Sequence, residues 1–572
     1  MSNRTQEDRR DRGLVAAFGV GGAVLAVCAA FLLATPSDGF WINDCGSKAL
    51  VALRLRETAF RDLALDHPAR LVDPEARTFP IPAPYAVLRN GRFFSFYPPA
   101  YSALSTPWLA VFGLQGLRIP AALGLAICAG LLVVWLAPVL GAATAAAAGA
   151  GLALATPLFF YGVTVWEHSL TVALSLGAWL LASRPTPWRL IAAGLVVGLA
   201  CWLREELALM GVALAIASVV RLRRAAPALW LAAGAALPAV GLLLLNASLF
   251  GEPLGLHVPG SADPAAGVPG WRVLASLLGG YGATSGEAVW LGAAALLAPP
   301  AGWWAARHGA GIPAFALAAA VGLAAWAFGI AHLVAASEPL AELARYNGLL
   351  VQLPMLALAG VGAAAVWRNA ELSGLRIGVL SGGIFLALAC AAGFWSGSGH
   401  GAHTGFGVHW GPRVLLPAVP SIVALAVVAG REARRSSARA LRGMAAVAGA
   451  LLVTAGVASS VEAGSFLAHQ KRDAHAFAEL LREQASRYIV TTHPMMGQHL
   501  AALWDLKPML LVEDGPALSQ AIGALGAAGV PDFLAVVPAD AATIRWIPGL
   551  ACRRAARYRG ERLHYFDLDI QQ

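Results

Sequence analysis

Thirteen runs of apolar residues, most close to the length a helix needs to cross a bilayer, dominate this sequence. A helix rises about 1.5 Å per residue, so about 20 apolar residues span the hydrocarbon. The first run is Leu14 to Thr35. The others fall near 118–140, 143–162, 169–183, 190–203, 206–220, 227–249, 288–305, 312–335, 348–367, 377–395, 414–430 and 443–464. Only 13% of the 572 residues are charged, against about 25% in a soluble domain. Disordered chains and ordinary soluble domains are thereby excluded. The net charge of +9 comes mostly from short arginine clusters between apolar runs, a membrane-orientation pattern and not a nucleic-acid footprint. The fold class expected is a polytopic α-helical membrane protein with about 13 transmembrane helices.

Charge fixes an expected orientation. Arg4, Arg9, Arg10 and Arg12 precede the first run, which is longer than the apolar core of a signal peptide. It reads as an uncleaved anchor with residues 1–13 in the cytoplasm. Loops expected inside carry Arg184 and Arg189, then Arg221, Arg223 and Arg224, and later Arg431, Arg434, Arg435, Arg439 and Arg442; three loops expected outside carry one arginine each, Arg272, Arg345 and Arg413. An odd count places the C-terminus outside. The membrane region is then 14–464, with a long first outside loop over 36–101 whose amphipathic stretch Lys48–Leu65 suits a membrane surface. Residues 465–572 read as a small extracytoplasmic α/β domain. A helical stretch, Asp473–Arg487, leads to YIVTT, PMLLVE follows, and helix Pro516–Ala528 precedes DFLAVVP. Four of the six cysteines lie in apolar runs. Cys45 and Cys552 share the outside compartment, so a disulfide between them stays open.

Ionisable residues gather at the expected outside ends of the spans. They include Asp38 and Asp44, Glu167 and His168, Arg204, Glu205 and Glu206, His257, Glu338, Glu342, Arg345 and Tyr346, and His400, His403, His409 and Arg413. Any one of them reads equally as a wetted helix end; the one-sided bias is what points to chemistry. An acid just outside the first span suits a general base. Lys48 follows Asp44 by four residues, which on a helix puts both on one face, either as an ion pair or as a carboxylate beside a phosphate-holding cation. Tyr97 belongs to the aromatic cluster FFSFYPPAY, which suits either an interfacial belt or a sugar site. Arg413 reads as a phosphate clamp or a snorkelling anchor. The HxxH at His400 and His403 is too weak to assign a metal.

Taken in order, the acid-bearing first loop, FYPPAYSALSTPWLAVFG, VTVWEHSLTVALSL, LREELAL and HWGPRVLLPAVP resemble the GT-C superfamily of integral-membrane glycosyltransferases. The likeness covers about 14–464 and is to the branch with protein O-mannosyltransferases and lipid A aminoarabinose transferases. It implies a GT-C-like fold in the bacterial inner membrane. The implied donor is a sugar carried on a polyprenyl phosphate, and the acceptor a hydroxyl of a glycan, lipid or protein. Transfer would be extracytoplasmic, with inversion at the anomeric carbon and no nucleic-acid partner. The implied base is Asp44 first and Asp38 second, because the superfamily's adjacent acids are here six residues apart. Lys48, Arg204 and Arg413 become candidates for the donor phosphate, and Tyr97, Glu167, His168, Glu205 and Tyr346 for substrate contact. No cofactor follows from the residues; a divalent metal stays open, since some members need one and others do not. The competing readings are a flippase or transporter of lipid-linked sugars, and a ligase or polymerase using a diphosphate-linked donor. A transporter calls for polar residues at mid-span in both halves.

Overall fold

The computed structural model of the chain describes residues 3–256, 274, 277–278, 286–309, 311–335, 348–396, 413–435, 439–513, 515–538, 551–558 and 561–567. Four helices are labelled here: α1 (Asn3–Ala34), α2 (Asn43–Glu57), α3 (Ala100–Phe112) and α4 (Ile119–Leu140). The chain divides into two compact units. Met1–Ala30 with Pro120–Ser465 form the first, and Phe31–Ile119 with Phe466–Gln572 the second.

The first unit is helical. Each of the thirteen expected runs contains helix. Among the described residues, six helical stretches are long and apolar enough to cross a membrane: Asp11–Ala34, Ala100–Leu140, Ala226–Phe250, Ala370–Ala392, Arg413–Arg434 and Arg442–Arg482. Shorter apolar helices, such as His168–Ala182 and Pro187–Leu203, occupy other runs. Two runs expected as single spans are broken. The 143–162 run divides into Ala142–Leu154 and Leu158–Gly162 around Pro157, and the 348–367 run into three pieces around Pro354. A proline lacks the N–H the preceding turn needs and clashes with it. Exposed Phe18, Leu237 and Trp290 give these helices the apolar exterior that lipid demands.

Small residues set the closest helix contacts. Helix Pro187–Leu203 carries GLVVG, and a Cβ on Gly194 would sit 2.0 Å from the Leu231 carbonyl oxygen of helix Ala226–Phe250. Gly234 answers it, 1.9 Å from the Ile191 carbonyl by the same measure. This is small-xxx-small packing, in which the missing side chains let two backbones touch.

The second unit joins the first loop to the tail. In the loop, β1 (Ala86–Arg89) and β2 (Arg92–Ser95) form a hairpin. Its two-residue turn, Asn90-Gly91, has φ of 52° and 73°, as a type I′ turn requires. The tail holds a five-stranded sheet in the order β4-β3-β5-β7-β6. β3 (Tyr488–Thr491) lies parallel to β4 (Met509–Leu511) and β5 (Asp532–Pro538); β7 (Glu561–Asp567) is antiparallel to β5 and to β6 (Ala551–Tyr558). Helix Gly515–Ala527 packs Leu518, Ala521 and Leu525 into the same core as Tyr488, Val490, Leu510 and Phe533, and first-loop Ala69 and Val72 join that core. Phe79 of the loop stacks on Phe93 at 3.8 Å and meets Trp504 of the tail edge-on at 5.9 Å. The Thr78 carbonyl accepts from the Leu511 N–H at 3.0 Å. The loop and the tail, far apart in sequence, thus share one interior.

A polar knot braces this loop. Asp73 accepts from the Thr78 N–H and hydroxyl, both at 2.7 Å, and from the Arg77 N–H at 3.0 Å, while His67 Nε2 lies 3.1 Å away. Burial alone would raise the Asp73 carboxyl, but these donors hold it below its ordinary value. Burial pushes His67 below its ordinary value, against the pull of Asp73.

Candidate functional site

The stretch expected to be helical from Lys48 to Leu65 begins earlier and ends earlier, at Asn43 and Glu57. Asp44 to Ala52 are enclosed on every side, so this half of α2 is an interior helix, not one with a single buried face. Asp44 lies in the first turn, where unpaired N–H groups and the helix dipole favour a negative charge. Close contact with the tail explains Gly46 one turn in. A Cβ there would fall 1.9 Å from the carbonyl oxygen of Gln498, so the tail's Met496–His499 turn sits directly on the start of α2.

Tyr97, carried past the end of β2, donates its hydroxyl to Asp44 Oδ1, and Asn43 Nδ2 donates to the same hydroxyl at 3.3 Å. The Lys48 ammonium lies 5.2 Å from the Tyr97 ring centre and 6.0 Å from that of Tyr101, a cation over aromatic faces. Lys48 is 2% exposed and Asp44 4%. The framework is tied by hydroxyls of α3: Ser102 donates to the Lys48 carbonyl at 2.9 Å and Tyr101 to the Leu117 carbonyl at 2.9 Å. Thus Asp44, Lys48 and Tyr97, three residues singled out from sequence, converge in the second unit. Asn43 and Tyr101 complete the cluster.

Asp38 belongs to a separate arrangement. Its Oδ1 is 2.7 Å from His475 Nδ1, and its Oδ2 is 3.6 Å from Arg482. Both partners lie on the long helix Arg439–Arg482. The same helix binds the neighbouring Gly39 carbonyl through Lys471 Nζ at 3.0 Å. Nearby, Arg118 donates to the Thr35 hydroxyl at 2.7 Å and to the Leu32 and Thr35 carbonyls at 3.1 Å, which fixes the chain where it leaves α1.

In the first unit, Glu167, His168 and Arg204 come together. Arg204 Nη1 donates to Glu167 Oε1 at 3.0 Å and lies 3.5 Å from His168 Nε2, and Arg204 Nε donates to Glu206. His168 sits edge-on against Tyr161 at 4.7 Å, with Trp166 packed at 5.8 Å. Arg204, expected from sequence as a phosphate ligand, therefore spends two of its nitrogens on carboxylates. Glu206, rather than a residue put forward for substrate contact, supplies the second. Glu205 opens the short 3₁₀ turn Glu205–Leu207. Arg413 opens another, Arg413–Ala418, and is buried. Tyr346, His257, Glu338, Glu342, Arg345 and the three histidines 400, 403 and 409 lie outside the described residues, as does the side chain of Cys552.

Among solved structures similar to this one is ArnT from Cupriavidus metallidurans bound to undecaprenyl phosphate, with a TM-score of 0.51 and 12% sequence identity over 96% of this chain and 97% of that one. A slighter likeness, with a TM-score of 0.41 and 12% identity, is to the archaeal oligosaccharyltransferase AglB from Archaeoglobus fulgidus in complex with an inhibitory peptide and a dolichol-phosphate; it covers 90% of this chain and 69% of that one. No protein-family model and no curated protein matches the chain. At such identity the likeness to ArnT is one of fold. The chain is a polytopic α-helical membrane protein whose fold is similar to that of ArnT, with a long first loop and a small C-terminal α/β region.

Proposed function

We propose that the protein is an inverting glycosyltransferase that moves a sugar from a polyprenyl-phosphate carrier to a hydroxyl acceptor on the extracytoplasmic side of the bacterial inner membrane. The observation that carries this reading is the Asp44 cluster. A carboxylate follows the first membrane helix, sits in the first turn of a buried helix, and accepts from the Tyr97 hydroxyl, whose ring carries the Lys48 ammonium on its face. The fold similar to a protein holding undecaprenyl phosphate supports it.

The chemistry follows from that placement. An acceptor hydroxyl has a pKa far above that of a carboxylate, so it must lose its proton as its oxygen bonds to the anomeric carbon. Asp44 takes that proton, a contribution of about 10²–10⁴ in rate. The bond from the anomeric carbon to the phosphate oxygen breaks on the opposite face, which inverts the centre and releases polyprenyl phosphate. The new negative charge needs a positioned cation, and Lys48 is the cation of this cluster. Tyr97 orients the carboxylate. Arg413 keeps its candidacy for the same phosphate, and Glu167, His168, Glu205 and Tyr346 theirs for sugar or acceptor contact, on the resemblance alone. Arg204 is better read as the counter-ion of Glu167 and Glu206.

The test is transfer by purified protein given undecaprenyl-phosphate-linked aminoarabinose or mannose, radiolabelled in the sugar, with cell-envelope lipids, glycans and proteins as acceptors. Label should leave the carrier in the wild type and stay on it in Asp44→Asn, which must still be monodisperse and bind the donor. Full turnover by Asp44→Asn would remove this residue as the base.

A further inference from the structure

Asp38, His475 and Glu479 take no part in the chemistry proposed above, yet their ligand atoms all lie within 4.8 Å of one another. His475 Nδ1 is 2.7 Å from Asp38 Oδ1 and 3.9 Å from Glu479 Oε1. A tetrahedral Zn²⁺ with bonds of about 2.0–2.2 Å holds its ligand atoms roughly 3.3–3.6 Å apart, a spacing these two distances bracket. His475 and Glu479 are four residues apart on one helix, which stacks both side chains on one face, and Asp38 approaches from the first loop. Asp38 and His475 border a cavity of about 510 Å³ that Thr35, Ser37, Gln115 and Arg482 also line. That is room for an ion and the water that would complete its shell.

We infer that Asp38, His475 and Glu479 form a binding site for a divalent transition-metal ion of the Zn²⁺ class, which clasps the first loop to the helix Arg439–Arg482. The donor set argues for the class: one imidazole and two carboxylates suit Zn²⁺ or Mn²⁺, whereas Mg²⁺ and Ca²⁺ prefer oxygen alone. The charges agree. With neutral imidazole the cluster carries two carboxylates and one guanidinium, since Arg482 lies 3.6 Å from Asp38 and pairs with Glu479. Arg482 thus stands in for the ion, and must turn away from Glu479 to admit it. The site is separate from Asp44, and its test does not depend on the transferase reading.

Full-length protein, purified in detergent and stripped with a chelator, is dialysed against ZnCl₂ or MnCl₂, and bound metal is measured alongside thermal unfolding. One equivalent of Zn²⁺ is expected, with a rise in the melting temperature. His475→Ala and Asp38→Asn should each weaken binding at least tenfold and abolish that rise. His469→Ala, six residues earlier on the helix, should leave both unchanged. Arg482→Gln, which frees Glu479, should bind more tightly than the wild type. That gain, and His475→Gln, keep the test decisive where another variant fails to remain monodisperse. Absence of an equivalent of metal in the wild type overturns the inference. So does equal binding by the histidine variants, or weaker binding by Arg482→Gln.

Discussion

Asp38 and Asp44 are six residues apart in one loop, yet their surroundings differ in kind. Asp38 is met by a histidine and an arginine from a helix more than 400 residues later in the chain. It holds two distant segments together. Asp44 is met by Tyr97, which in turn accepts from Asn43 and lies under the Lys48 ammonium, all within 53 residues of it. It lies at the start of its own helix and accepts from a phenol. The difference separates an acid that fastens distant segments from the one we propose for the chemistry. The same contrast holds for the cations. Arg204 is committed to two carboxylates, whereas Lys48 is carried over aromatic faces.

The largest effect expected from testing this contrast is at Arg204. Removing one partner of a buried ion pair strands the other, at about 3–5 kcal/mol. Arg204→Ala should therefore lower the melting temperature sharply by leaving Glu167 and Glu206 unmatched, and differential scanning fluorimetry of the purified variant reads this directly. A variant that melts like the wild type but fails to bind donor would return Arg204 to the phosphate.

Tyr97→Phe comes next. A hydrogen bond to a charged group contributes about 1.5–3 kcal/mol, and if it serves mainly to aim the base, the turnover number should fall about 10–10²-fold with KM for donor little changed. A change confined to KM would instead make Tyr97 a binding residue.

The smallest effect concerns the polar knot of the loop. His67 has a lowered pKa in the folded chain, so the unfolded chain takes up its proton first as pH falls below about 6.5, and stability declines through that window. Asp73, also lowered, contributes stability above its ordinary value near 3.8, lost only as the pH drops through its folded value. The melting temperature should thus fall modestly from pH 7 to 5.5, and His67→Gln should flatten that slope. An unchanged slope would take His67 out of the account.

How far these features were legible in the sequence depends on the range of the interactions behind them. Apolar runs announced the membrane helices, because burial in lipid is read from composition alone. They failed to show that Pro157 and Pro354 break two of those runs. β3, β4 and β5 were visible as short apolar strands between helices. β6 and β7 were not, for ACRRAARY and ERLHYFD break their apolar residues with charges. The loop hairpin did carry a signal, Asn90-Gly91 between two β-prone triplets. At the site, Asp44 and Lys48 were legible through helical spacing and Tyr97 through its aromatic neighbours. Nothing local joins Asp38 to His475, or Ala69 and Val72 to the tail's core, so only the folded chain brings them together.

The most direct test of the central claim is the turnover number of Asp44→Asn and Asp38→Asn, measured side by side at saturating donor, with donor binding measured on the same samples. The account predicts a loss of about 10²–10⁴-fold for Asp44→Asn, with donor still bound, and a loss below tenfold for Asp38→Asn. Equal losses, or a greater loss at Asp38, would contradict it.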